Sequence, residues 1–480
     1  MSHRFCLSLA LTAALIGYSV SLPAAEPAPP NILYIMIDDL GWMDLHCQGG
    51  KDYRTPNVDR LAAEGMRFTD AYAAAPVCSP TRAAAMTGLA PARLRITNHI
   101  PDSWNFYNGK KTGPGKSVNR LDPKYVTIAE RLKEHGYGTA FFGKWHLSGA
   151  DWGAMEKPFL PESQGFDINI GGCARGGPGG DGSFFDPYPI PNIPARKKGQ
   201  YLPDRLADEA IEYMRSQKEK RQSFFICLWN YTVHWPVEAP ESLYRNYAED
   251  KPTWHQKYQA MVEGMDLAVG KVLKSLDDLG LGEDTLVVFT SDNGPFTNDG
   301  LKLTTTAPLK GKKGYLSDGG IRVPLIVRWR GKIKAGTICK EPVITMDLVP
   351  TFLESAGISY KAATFDGESM MPLLTQSGAL KRDAIYFHYP HYAFHRANRM
   401  GAVIRSGDHK MIKYYDDQSV VLYDMRKDIG ETRDLSGEMP EKTAELRKRL
   451  EAWLKETNAA MPRDIAAIPA SDLDGRKADK

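Results

Sequence analysis

The chain has 480 residues, 42% of them apolar, and its 61 Lys and Arg against 58 Asp and Glu leave a formal net charge of +3. That length suits one large domain and a small one, and that apolar share builds an ordinary core, which excludes a disordered or fibrous protein. So balanced a charge excludes a dedicated nucleic-acid binder while leaving room for a local basic pocket.

The N-terminus reads MSHRFCLSLALTAALIGYSVSLPAAEPAPP. His3 and Arg4 make a basic start, Leu7 to Val20 an apolar run, and Pro23-Ala24-Ala25 a small-residue cleavage site. This pattern predicts a secretory signal peptide over 1–25. The run is too short for a transmembrane anchor, and no later segment is apolar enough to span a bilayer. The expected mature protein is exported, periplasmic or secreted. Five cysteines then remain, Cys47, Cys78, Cys173, Cys227 and Cys339. An odd number in an oxidising compartment leaves at least one unpaired.

NILYIMI (31–37) is a continuous apolar run, as for a strand buried on both faces. TPNVDRLAAEG (55–65) carries a Thr cap, a Pro start and a Gly stop, and predicts a helix. VTIAERLKEHG (126–136) predicts another, leading into the strand-like YGTAFFGKWHL. Helices over 203–219 and 253–279 lead into SFFICLWNY, where Cys227 reads as a buried strand residue, and TLVVFTSDNG. VPLIVRW (323–329) follows. Such alternation predicts an α/β fold, a large mostly parallel sheet sandwiched by helices. From about 384 the texture changes to short strands, AIYFHYP, MGAVIRS, HKMIKYY and VVLYDMR, then a helix over 440–456. This predicts a small C-terminal antiparallel sheet plus helix, over 381–480. The Gly- and Pro-rich stretch 170–199 predicts a long surface loop. GPGKS (113–117) resembles the end of a phosphate-binding loop, but the required Gly falls at Lys110 and no strand precedes it.

Asp38 and Asp39 follow one buried strand, and Asp292 and Asn293 follow another. Strand ends of an open α/β sheet share an edge, so four oxygen-bearing side chains converge there. Oxygen ligands favour Ca²⁺ or Mg²⁺ over zinc. Lys144 and His146 in FFGKWHL are two apart and share a face if the strand continues. His234 lies just past SFFICLWNY, and Lys310, Lys312 and Lys313 lie in the glycine-rich LKGKKGYLSDGG. These cations would ring the acids, as a site for an anionic ester requires. In PVCSPTRAAAMTG (76–88), Ser79 reads as an N-cap and Pro80 as first-turn proline. Cys78 then sits at the positive end of a helix with Arg82 in its first turn, which suits anions and makes a thiol acidic. A buried structural cysteine remains the competing reading.

Cys78-Ser-Pro-Thr-Arg82 followed by Met86-Thr87-Gly88 resembles the signature of the type I sulfatases, within the alkaline phosphatase superfamily. IDDLG, GKWH, SDNG, GKKGYLSDGGIRVP and VLYDM stand in that family's order. The resemblance implies oxidation of Cys78 to Cα-formylglycine by a formylglycine-generating enzyme. It implies a divalent cation, usually Ca²⁺, held by Asp38, Asp39, Asp292, Asn293 and the modified Cys78. The aldehyde's hydrate would attack sulfur, with Arg82 stabilising that hydrate and Lys144 and Lys313 holding sulfate oxygens. His234 would protonate the leaving alcohol, and His146 would act on the second hydroxyl of the hydrate. Asp318 stands where the family has Glu. Lys310 is the alternative to Lys313.

The expected activity is therefore sulfuric-ester hydrolysis on a sulfated carbohydrate, by a catalytic domain over 26–380. FHYPHYAFH (387–395) adds a candidate sugar-binding wall, with His391 and His395 as its test residues. The rivals are a phosphonate or phosphate ester hydrolase on the same scaffold and an inert sulfated-glycan-binding protein.

Overall fold

The computed structural model describes residues 29–101, 111–149, 151, 155–248, 250–297, 300–392 and 398–468. The predicted signal peptide and His395 lie outside the described residues.

Eight strands form the main sheet: β1 (Asn31–Ile37), β2 (Met66–Phe68), β3 (Gly138–Gly143), β4 (Ile168–Ile170), β5 (Phe224–Asn230), β6 (Thr285–Ser291), β7 (Leu325–Arg328) and β8 (Thr337–Cys339). Their spatial order is β8-β2-β7-β6-β1-β5-β3-β4. All neighbours pair in parallel except β7, which runs antiparallel to both β6 and β2. The sheet is mixed, with one reversed strand in an otherwise parallel set.

The apolar run of β1 is explained by its place at the centre. Leu33, Ile35 and Ile37 face one core, and Ile32, Tyr34 and Met36 face another. The first core is closed by α1 (Pro56–Glu64), α4 (Leu202–Lys220) and α5 (Trp254–Asp278), through Leu61, Leu206, Met214, Met261 and Val269. The second is closed by α2 (Cys78–Thr87) and α3 (Ile128–Glu134), through Ala83, Met86, Ile128 and Leu132. Thr127 and Glu130 form the reciprocal capping box that starts α3. At α1 the expected Thr55 cap is not used. Asp266 of α5 accepts the Asn57 and Val58 N–H groups instead, at 3.1 and 2.8 Å.

The smaller sheet runs β9 (Ala384–Tyr389), β10 (Gly401–Ser406), β11 (His409–Tyr414) and β12 (Val420–Asp424), antiparallel and in chain order. One face packs on α6 (Pro440–Glu456) through Leu446, Leu450 and Leu454. The other presents Phe387, Val403 and Ile412 to Tyr72, Val77 and Ala84. Helix α2 is thus held between the two sheets, and every one of its residues is buried. The stretch 171–200 holds no helix or strand, as its composition predicts. No helix among the described residues is long and apolar enough to cross a membrane.

Candidate active site

The register Ile37↔Ser291 brings the ends of β1 and β6 side by side, so the residues after them meet. Asp38 exchanges backbone hydrogen bonds with the chain after β5: its N–H donates to Thr232 at 2.9 Å and its carbonyl accepts from Val233 at 2.7 Å. Asp39 takes the left-handed conformation, φ 61°, and donates its N–H to Asp292 Oδ1 at 3.1 Å. Asp39 Oδ1 accepts from Asn293 Nδ2 at 2.7 Å. Ligand atoms of Asp38, Asp39, Cys78 and Asp292 all lie within 4.8 Å of one another, and all four residues are buried. Asp39 Oδ2 and Asn293 Oδ1 are buried with no hydrogen-bond partner. Unsatisfied buried oxygens of hard-ligand type are what a Ca²⁺ or Mg²⁺ site supplies.

Three permanent cations face these three carboxylates. Arg82 Nη2 lies 2.7 Å from Asp292 Oδ2 and 3.6 Å from Asp38 Oδ1, and its Nη1 donates to the Lys144 carbonyl at 2.6 Å. Lys144 Nζ lies 2.7 Å from Asp38 Oδ2, and Lys313 Nζ 2.5 Å from Asp39 Oδ1. Burial, with Asp292 and Asp39 adding to it against Lys144 and Arg82, pushes Asp38 up to about 8. Burial also disfavours charge on Asp292, yet Arg82, Lys144 and Lys313 hold it below the usual carboxylate range. Three cations already face the three carboxyl groups, so an added divalent cation leaves the cluster positive, a site for an anion.

Several expectations from the sequence are corrected here. Ser79 is not the N-cap of α2; Val77 is, and Cys78 is the first helical residue. The Ser79 hydroxyl instead accepts the Ile100 N–H at 3.0 Å. The Cys78 thiol is not acidic. Burial raises it to about 12, outweighing Lys144 and Lys313, while its Sγ lies 3.7 Å from Asp38 Oδ1. Lys144 and His146 do not share a strand face, because β3 ends at Gly143. Gly143 has φ 109°, and a Cβ there would lie 1.9 Å from the Trp229 carbonyl oxygen, so only glycine lets the chain turn in at this point. Lys144 N–H then donates to that same carbonyl at 2.8 Å. Of the lysine cluster only Lys313 reaches the acids. Lys310 turns to the small sheet, donating to the Glu431 carbonyl at 3.0 Å. His391 is 0% exposed, with Nε2 2.8 Å from Thr97 Oγ1, so it belongs to the packing beneath the small sheet and presents no surface to a sugar. His388, in the same stretch, is buried too.

Both predicted histidines stand at the cluster with defined tautomers. His146 Nε2–H donates a short hydrogen bond to the Ile100 carbonyl, which leaves the buried Nδ1 as the ring's acceptor. His234 Nδ1–H donates to the Trp235 carbonyl at 2.8 Å, and its Nε2 lies 3.8 Å from Asp39 Oδ2. Burial lowers His234 to about 3, Asp39 opposing and Lys144 and Lys313 assisting. The loop 171–200 backs both rings, since a Cβ on Gly176 or Gly177 would come within 2.6 or 3.1 Å of them. His99 was missed. It is half-buried beside Asn98, and burial, Lys313, His391, Lys144 and His234 together lower it to about 3. It lies in a loop, in TNHIP, where no strand end marks it.

Known proteins match this arrangement. A family model described as Sulfatase covers residues 30–358. The chain belongs to the sulfatase family. A second model, N-sulphoglucosamine sulphohydrolase, C-terminal, covers residues 312–460 of this sulfatase. Arylsulfatase A of Homo sapiens is 31% identical over 477 residues, covering 91% of this chain and 89% of its own. Steryl-sulfatase of Mus musculus is 32% identical over 444 residues, covering 76% of this chain and 68% of its own. Among solved structures, Ps i-CgsB in complex with k-i-k-neocarrahexaose superposes with a TM-score of 0.74 at 29% identity, covering 89% of this chain and 93% of that one. The sulfatase is thus an α/β hydrolytic enzyme of a family that typically uses a metal ion and a formylglycine.

Proposed function

We propose that this sulfatase removes sulfate from a sulfated carbohydrate, outside the cytoplasm, using formylglycine derived from Cys78. The observation that carries the reading is Cys78, first residue of a buried helix, facing three carboxylates and three permanent cations. Asp38, Asp39, Asp292 and Asn293, with the side chain at position 78, would hold Ca²⁺ or, in its place, Mg²⁺. Bound there, the cation supplies positive charge for a sulfate oxygen and its neighbours, and formylglycine, once formed, supplies a hydrated aldehyde as nucleophile.

The chain's own residues do the rest. Arg82 fixes Asp292, Asp38 and the backbone of Lys144 in one fork, which suits a guanidinium better than an ammonium. Lys144 and Lys313 supply N–H donors for sulfate oxygens. As the ester S–O bond breaks, the leaving alkoxide takes a proton. His234 is the group placed to give it, from Nε2, because Nδ1 is committed to Trp235. The approach of an anionic ester favours the imidazolium that this requires. His146, with Nδ1 as acceptor, takes a proton from the nucleophile's side. The carbohydrate reading is supported by the saccharide complex of Ps i-CgsB and by the predicted signal peptide.

Peptide mass analysis across Cys78 is expected to find the aldehyde when the chain is co-produced with a formylglycine-generating enzyme. Cys78→Ala is expected to lower aryl sulfate turnover by at least about a thousand-fold. Full activity in Cys78→Ala would sink the mechanism. Faster turnover of the matched aryl phosphate or phosphonate would move the enzyme to that class.

A further inference from the structure

We infer that Trp235 and Trp254 form an aromatic wall on the leaving-group side of the site, against which a sugar ring of the substrate stacks. The inference rests on the carbohydrate reading above.

Two segments leave the acid cluster, one after β5 through His234 and Trp235, the other after β6 through Asn293 and Phe296. The start of α5 joins both. The Trp254 ring lies 5.2 Å from the Trp235 ring, centroid to centroid, tilted by 41°. The next residue, His255, donates from Nδ1 to the Leu303 carbonyl at 2.7 Å. The start of α5 therefore packs beside both segments. Trp235 follows His234 in the chain and provides the carbonyl that orients it, so the pair lies beside the general acid of the proposed mechanism.

Exposure singles out Trp254, while Trp235 is half-buried against the core below it. Trp254 is 39% exposed and is the one aromatic residue among the exposed large apolar side chains of the described residues. The helix start does not need it. Thr253 and Gln256 already form a reciprocal capping box, and neither bond involves the indole. The part of the indole left in water suits a partner that is apolar on one side and polar at its edges. A pyranose has that shape, with its C–H face towards the ring and its hydroxyls outwards. Lys257 Nζ, 4.7 Å from the Trp254 centroid, adds a cation suited to a second sulfate or a carboxylate on the same glycan.

The test uses fully converted, metal-loaded enzyme. Wild type is assayed on carrageenan oligosaccharides, chondroitin 4- and 6-sulfate disaccharides and a sterol sulfate. Trp254→Ala is expected to raise KM on the preferred saccharide by about ten-fold, with kcat changed less, and Trp254→Phe to restore most of it. Competitive inhibition by inorganic sulfate, which engages the cations and not the wall, should stay within about two-fold of wild type. An unchanged saccharide KM in Trp254→Ala overturns the wall and leaves the carbohydrate reading standing. A wild type that turns over the sterol sulfate and no saccharide overturns both.

Discussion

Lys410 is a buried charge outside the site that two carboxylates share, and removing it tests how the small sheet holds the lysine loop. Its side chain is 1% exposed, with Nζ 2.6 Å from Asp318 Oδ1 and 2.8 Å from Glu431 Oε1. Glu431 Oε2 accepts the Asp318 N–H at 2.7 Å, and Tyr72 donates to Asp318 Oδ2 at 3.1 Å. Asp318 closes the loop that carries Lys313, because the next residue, Gly319, donates to the Lys310 carbonyl at 2.7 Å. Lys410→Met keeps the volume and leaves two buried carboxylates without their shared cation. Breaking a buried pair from one side costs about 3–5 kcal/mol, and the lower end applies because Arg322 and Tyr72 still serve Asp318. At a urea m-value of about 3 kcal/mol per molar or more, the midpoint drops by about 1 M or less. The loss should depend on pH. Burial raises the Glu431 carboxyl above its ordinary 4.5 even with Lys410 opposing, so the variant takes up a proton there. A folded pKa above the unfolded one means that stability is gained as pH falls towards 4.5. The gap from wild type is therefore narrower near about pH 5.5 than near about pH 8. Adding Glu431→Gln to the variant should recover part of the loss. An equal loss at both pH values, or an unchanged midpoint, refutes the reasoning.

Two further predictions come from hydrogen bonds. Ser79→Ala strands the buried Ile100 N–H and frees the carbonyl that fixes His146; stability should fall by about 1–3 kcal/mol and kcat by about ten-fold per converted site, with Cys78 conversion measured by mass. A kcat at the wild-type value would show that the Ser79–Ile100 link does not orient His146. His388 is buried between Tyr415 OH and the Ala460 carbonyl, and burial, opposed by the Ala460 bond and assisted by His391, lowers it from 6.5 to about 4. The unfolded chain binds this proton first, so stability falls as pH drops from 6.5 towards 4. At about pH 5 this is about 2 kcal/mol, and His388→Gln should remove that part of the acid sensitivity in urea titrations. Parallel pH curves for wild type and variant would count against it.

What the sequence made legible depends on range. The unbroken apolar runs of β1 and β5, and acids placed directly after strands, are local signals, so the metal-type cluster is legible in the sequence alone. The small sheet is legible for the same reason, as short strand-like runs separated by turn residues. The errors lie where distant partners decide. A helix start makes a thiol acidic only if solvent or cations outweigh desolvation, and the second sheet packed over α2 makes burial win at Cys78. Ser79 looks like a cap until Ile100, 21 residues on, is seen to take its hydroxyl. His388 near the end of β9 and His391 just after it look like a surface cluster until Tyr415 and Ala460, and Thr97, are seen to bond them inside. Lys313 and Lys310 are three residues apart, yet one meets Asp39 and the other the Glu431 carbonyl. No periodicity distinguishes them, because the choice is made by a loop whose far end is tied to Lys410. The reacting groups sit on the large sheet, but the loop that delivers one of their cations is anchored in the small one. Substitutions in the small sheet should therefore reach activity as well as stability, even where they touch no substrate.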